Sequence, residues 1–180
     1  MPLRRPTSRS AFTLVETIAA LTVVAVVGLA ASGITLAAVA SWRDAAVSAA
    51  VHAELSTAME RIAKELRAVE PHPTVAGAPR IASITPASIS FNAGASITLS
   101  GGRVFLDPGP GATDALLSGV TSLSIQAFDQ SGTLLPGSVS GPACQAVRRL
   151  QIAITVQRQG ITHSLRTRFF IRGTMAGASS

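Results

Sequence analysis

Glu16 is the residue that most needs a chemical explanation. It follows Phe12-Thr13-Leu14-Val15 directly and heads an uncharged run over residues 17–41. About 20 apolar residues are enough to cross a bilayer. Such spans normally exclude carboxylates, because an ionised group in hydrocarbon costs several kcal/mol unless something pairs with it. The chemistry implied is charge pairing with a cationic group at the membrane edge. At about 4 Å and an effective dielectric near 20 that attraction is worth roughly 4 kcal/mol, comparable to the burial cost. A carboxylate in the first turn of a helix is also favoured by the helix dipole. Phe12 and Glu16, four residues apart, share one helix face.

The other reactive side chains form no constellation. His52 and His72 lie on or beside a helical segment and His163 in the last strand pattern, with no metal-ligand spacing between any two. Asp107, Asp114 and Asp129 match no calcium loop and read as turn formers. Cys144 is the single cysteine, which excludes an intrachain disulfide and a thiolate metal cluster. Arg148-Arg149 is a short basic pair expected at a strand edge. Nucleophile-elbow, phosphate-loop and dinucleotide fingerprints are all missing, so neither an enzymatic activity nor a cofactor is expected. The formal charge of +6 is not a nucleic-acid footprint: the basic residues are scattered, tyrosine is absent and aromatics make up 4% of the chain.

The elements that must position Glu16 follow from periodicity. Ser41-Trp42-Arg43-Asp44 marks a water interface after the apolar run. Beyond it Val47, Val51, Leu55, Ala58/Met59, Ile62, Leu66 and Val69 recur at spacings of three and four, one apolar stripe on an α-helix. His52, Glu60, Arg61, Lys64, Glu65 and Arg67 take the opposite face, with Glu60–Lys64 and Arg61–Glu65 four apart. Glu70-Pro71-His72-Pro73 stops the helix. A single helix over 12–69 would be on the order of 87 Å long, far more than a bilayer core, so its second half must cover something.

What it covers comes next. Strand patterns are expected over 81–84, 88–92, 96–99, 103–106, 120–128, 147–157 and 161–172, with an irregularity near the start of 120–128. Asn92-Ala93-Gly94, Gly101-Gly102 and Arg158-Gln159-Gly160 read as hairpin connections. Residues 73–79, 107–111 and 136–143 read as loops. The expected fold class is α+β, a long N-terminal helix packed on the apolar face of a C-terminal antiparallel sheet. The expected organisation is a basic leader (1–11), a membrane helix (12–41), its amphipathic continuation (42–70), a β-rich domain (71–172) and a disordered tail (173–180).

Arg4, Arg5 and Arg9, followed by Ser10-Ala11-Phe12-Thr13-Leu14-Val15-Glu16, resemble the N-terminal signature of type IV pilins and pseudopilins. The resemblance implies a pilin-like fold and cleavage by a prepilin peptidase between Ala11 and Phe12, with N-methylation of Phe12. Ala11 stands where the family usually has glycine. A leader that takes Arg4, Arg5 and Arg9 with it would halve the formal charge of +6. Those arginines would also hold the N-terminus on the cytoplasmic side of the inner membrane, leaving the C-terminal domain periplasmic. Glu16 is then expected to meet the N-terminal amine of an adjoining subunit during assembly.

Residues 55–67, with the ending from Val147-Arg148-Arg149 to Phe170-Ile171-Arg172, are similar to J-type minor pseudopilins and W-type minor pilins. The implied role is a minor subunit that initiates or caps a periplasmic filament of a type II secretion system. Its partners would be the peptidase, other minor and major pseudopilins and the inner membrane, but no nucleic acid. The alternatives are a minor pilin of a type IV or DNA-uptake pilus, and a secreted or membrane-anchored binding domain. Ala38-Val39-Ala40 before Ser41 would satisfy a signal-peptide cleavage rule in the secreted case.

Overall fold

The computed structural model describes residues 13–109 and 113–172. The basic leader with Arg4, Arg5 and Arg9, the cut between Ala11 and Phe12, and the tail expected over 173–180 lie outside the described residues. The chain divides into two units, Met1–Ala46 and Val47–Ser180. One helix, α1 (Leu14–Arg67), contributes to both.

In the first unit α1 presents apolar side chains all round. Leu14, Val15, Ile18, Leu21, Val24, Leu29, Ile34 and Leu36 are all exposed. The few hydroxyls in this stretch turn back on their own helix: Thr22 Oγ1 donates to the Ile18 carbonyl at 2.8 Å, Ser32 Oγ to Gly28 at 2.8 Å and Thr35 Oγ1 to Ala31 at 2.9 Å. Hydroxyls satisfied in this way can enter hydrocarbon without an open donor. This is a helix long and apolar enough to cross a membrane.

In the second unit the later turns of α1 bury Val51, Leu55, Ala58, Met59, Ile62, Ala63 and Leu66, the expected stripe. Of the two expected charge pairs, Arg61–Glu65 forms at 3.5 Å. Glu60 and Lys64 form none among the described residues; both are exposed, where water competes for each charge.

The stripe packs against two antiparallel sheets, where the sequence suggested one. The first contains β1 (Ile81–Thr85), β2 (Ser88–Phe91), β3 (Ala95–Ser100), β4 (Arg103–Asp107), β5 (Asp114–Ser118) and β7 (Val139–Ser140) in the order β5-β4-β3-β2-β1-β7. The second contains β6 (Val120–Phe128), β8 (Arg149–Arg158) and β9 (Ile161–Phe170) in the order β6-β8-β9. Residues from α1 and from both sheets form one buried cluster. The first crossing between sheets, from β5 to β6, is Gly119, at φ +71, where a Cβ would lie 3.4 Å from the Gln157 carbonyl oxygen. Its own carbonyl accepts the Gln157 N–H at 3.1 Å, tying the corner to the end of β8.

Two strands lie where sequence patterning shows none. β5 buries only Leu117, has no β-branched residue and is a strand because it pairs with β4. β7 is two residues inside the loop expected over 136–143, and a 3-10 helix over Gly141–Ala146 follows it. The hairpins were readable: Gly101 and Gly102 have φ of +55 and +70, and Gln159 and Gly160 have +50 and +81, which matches two-residue turns that twist with their strands. The expected irregularity in β6 is a register shift between Val120 and Ser122.

The exit of α1 is tied down by a residue far away in sequence. Asn92, in the β2–β3 turn at φ +47, accepts the Glu70 N–H at 2.8 Å and donates to the Ala68 carbonyl at 3.1 Å. Helix ends leave such carbonyls without intrahelical partners. The Glu70 carboxylate meets Arg80 at 2.7 Å beside them. Asn92→Ala removes both bonds, and about 1–2 kcal/mol of local stability should go with them. Hydrogen exchange of the amides at 66–70 measures it; unchanged protection there would show that Asn92 does not hold the helix end.

Candidate functional site

Glu16 is the third residue of α1, and Thr13 is its N-cap. The Thr13 N–H donates to Glu16 Oε2 at 3.2 Å, Thr13 Oγ1 lies 3.3 Å from the same oxygen, and the Glu16 N–H donates to Thr13 Oγ1 at 3.3 Å. This reciprocal arrangement is a capping box, which satisfies two donors that a helix start leaves open. The Thr-x-x-Glu spacing ahead of an apolar run carries that signal in sequence, and the charge-pairing reading of Glu16 passed over it. Among the described residues Glu16 Oε1 has no hydrogen-bond partner. The cap therefore occupies one carboxylate oxygen and aims the other. Ala11 and Phe12 lie outside the described residues, so the geometry of the expected cut is not part of this site.

The second unit holds polar clusters that sequence reasoning did not assemble. Arg158, at the end of β8, meets Glu54 of α1 through two oxygens, at 2.8 and 3.2 Å, and Ser118 Oγ at 3.2 Å. One guanidinium thus links the helix, β5 and β8. Exposed pairs of this kind contribute about 0–1 kcal/mol, so its effect is to fix geometry more than to add stability. It borders an open groove of about 1000 Å³ between α1 and β5, lined also by Thr57, Arg61, Arg103 and Asp114.

The outward face of the three-stranded sheet is a ladder of Gln, Arg and Phe. Gln126, Gln151 and Arg168 lie side by side in register, as do Phe128, Arg149 and Phe170. Gln151 Nε2 donates to Gln126 Oε1 at 2.8 Å, and Arg168 donates to Gln151 Oε1 at 2.9 Å. Arg168 sits over the Phe128 ring at 4.4 Å and Arg149 over Phe170 at 4.8 Å. Arg149 starts the central strand of this sheet, not an edge as the Arg148-Arg149 pair suggested. Arg148 instead donates to the Gln145 and Val147 carbonyls at 2.6 and 3.0 Å.

The remaining candidates are dispersed. Among the described residues no three His, Cys, Asp or Glu side chains are grouped to hold a metal ion. His52 is exposed, and His72 Nδ1 accepts the Thr74 N–H at 3.3 Å. Asp107 accepts the Gly109 N–H at 3.0 Å, the turn role expected of it. Cys144 is buried in the 3-10 helix, and burial pushes its thiol up from its ordinary range. Neither a family model nor a curated protein matches the chain.

Asp129 has the one carboxyl held clearly below its ordinary value of 3.8, first by the Ser131 hydroxyl and then by the Thr133 N–H. Both bonds are stronger to the ionised form: Ser131 Oγ donates to Asp129 Oδ1 at 2.7 Å and Thr133 N to the same oxygen at 2.8 Å. With the folded value depressed, the turn's stabilisation is present above the unfolded value and lost as pH falls through the folded one. An NMR titration should put the Asp129 midpoint below 3.8, and Ser131→Ala should raise it. A midpoint indifferent to Ser131→Ala would remove the hydroxyl as the cause.

Proposed function

We propose that this chain is a minor pilin-like subunit, processed ahead of Phe12 and N-methylated there, that helps to initiate or cap a filament anchored in the inner membrane. A type II secretion system is the setting that its helix and C-terminal strand patterns favour. The observation that carries the reading is Glu16. It is a carboxylate in the first turn of a helix long and apolar enough to cross a membrane, with one oxygen held by Thr13. A carboxylate kept at such a place suits pairing with the amine of a neighbouring subunit's N-terminus. The later turns of the same helix are packed under antiparallel sheets, as a pilin-like subunit requires. In this role the protein binds other subunits and catalyses nothing.

The capping box gives Glu16 a second use, and variants separate the two. Thr13→Ala removes the two bonds made by the Thr13 hydroxyl, leaves the backbone N–H at 13 donating to Glu16 and keeps the carboxylate, at a cost of about 0.5–2 kcal/mol to the helix start. Glu16→Gln keeps much of the bonding capacity and removes the charge. Filament incorporation, followed by cross-linking to other subunits, should fall sharply for Glu16→Gln and survive in Thr13→Ala. Equal incorporation of Glu16→Gln and the natural chain would end the assembly role.

Intact mass of the membrane-extracted protein tests the class directly. The expected species begins at Phe12 and is heavier by one methyl group. A chain that begins at Ser41 and is free of the membrane would establish the secreted reading instead. The partners recovered on cross-linking distinguish a secretion filament from a type IV or DNA-uptake pilus.

A further inference from the structure

The three-stranded sheet ends in an open edge. β9 pairs with β8 over all ten residues from Ile161 to Phe170 without a bulge, and among the described residues nothing pairs with its other side. It has no proline. A long, regular edge strand of this kind is a template for another strand. Natural edges are usually blunted by charge, and β9 carries Arg166 and Arg168 on its outward face.

That charge also selects a partner. No Asp or Glu follows Asp129 in the sequence, while Arg148, Arg149, Arg158, Arg166, Arg168 and Arg172 do. The sheet's outward face therefore has no acid of its own to neutralise it. Arg168 is engaged with Gln151 and Phe128. The Arg166 side chain has neither a hydrogen bond nor an ion pair among the described residues. Pairing β9 with a second copy of itself would bring like charges together, which opposes it. The exposed ring of Phe170 has Arg149 over one face, and Phe128 is nearly buried under Arg168. Stacked bases would find few open rings, so the chemistry favours carboxylates over a nucleic acid.

The inward side of the same edge borders a cleft of mixed polar and apolar lining. This shallow cleft of about 550 Å³ lies between β9 and α1, lined by Met59, Ala63, Leu165 and Thr167, with Glu60 and Arg67 at its rim. A strand added to β9 would place alternate side chains over this cleft and the others beside Arg166.

We propose that the β9 edge is a strand-addition site for an extended segment of a partner protein whose residues alternate between acidic and apolar. Backbone hydrogen bonds to β9 supply affinity. Arg166 reads the acidic positions, and Met59, Ala63 and Leu165 receive the apolar ones. The site rests on the sheet and its charge, and stands whether or not the partner is a filament subunit.

The test uses the full chain in neutral detergent micelles and a fluorescein-labelled, end-capped peptide of alternating glutamate and valine. Anisotropy should show binding, and hydrogen exchange should slow at alternate amides of β9. Arg166→Glu should weaken binding by about tenfold or more. N-methylation of alternate peptide amides should abolish it on one of the two edges. Four outcomes would each overturn the proposal: no binding, equal binding to Arg166→Glu, equal binding of a lysine–valine peptide, or protection elsewhere than β9. Displacement of the peptide by oligothymidylate would do the same, by making the sheet a nucleic-acid surface. Concentration-dependent self-association lost in Arg166→Glu would also overturn it in favour of a second copy.

Discussion

The apolar stripe on the later turns of α1 sets the terms for everything after it. Leu55, Ile62 and Leu66 are essentially without exposure, and burying each such side chain is worth about 1.5–3 kcal/mol. No single flat sheet in this chain covers the stripe. The chain instead uses a six-stranded and a three-stranded sheet, first crossing between them at a glycine corner, and both contribute to the same core. Gly119 has that place because the turn needs φ of +71 and because the Gln157 carbonyl lies close by. Arg158 then holds Glu54 and Ser118 across the seam. The corner, the clamp and the stripe are one solution to one burial problem.

Charge is arranged on a different principle. On α1 acids and bases mix, and Arg61–Glu65 is the local result. The outward face of the three-stranded sheet has only bases, and it compensates by neutral means: guanidinium over phenyl ring, and amide to amide to guanidinium across three strands. Such contacts orient the arginines while leaving their charge uncancelled. A face that preserves its positive charge so consistently is suited to an anionic partner, whereas scattered pairs on a helix are suited to water.

The fold was legible where side-chain periodicity carried it. The helix stripe, the β8–β9 hairpin and the Gly101-Gly102 turn all follow from spacing and from residues that tolerate positive φ. β5 and β7 were not legible, because Ala115, Leu116 and Ser118 have no intrinsic preference for a strand and are fixed by pairing alone. Two sheets could not be told from one, since β5, which runs into the Gly119 corner, has no strand pattern of its own. The candidate sites divide in the same way. Asp107 and Asp129 read correctly as turn residues because their bonds are local. The Arg158–Glu54 link spans 104 positions and leaves no local trace.

Glu16 shows how a local rule and a long-range one can meet in one side chain. An acid at the third position of a helix needs no further reason than the cap: Thr13 and Glu16 satisfy each other's backbone donors. That alone would place the residue in many soluble helices. Here the helix that follows is long and apolar enough to cross a membrane, and a carboxylate carried into hydrocarbon would be costly. Glutamine at position 16 would accept from the same Thr13 N–H without a charge. The pairing proposed for Glu16 would use the carboxylate oxygen that the cap leaves open among the described residues.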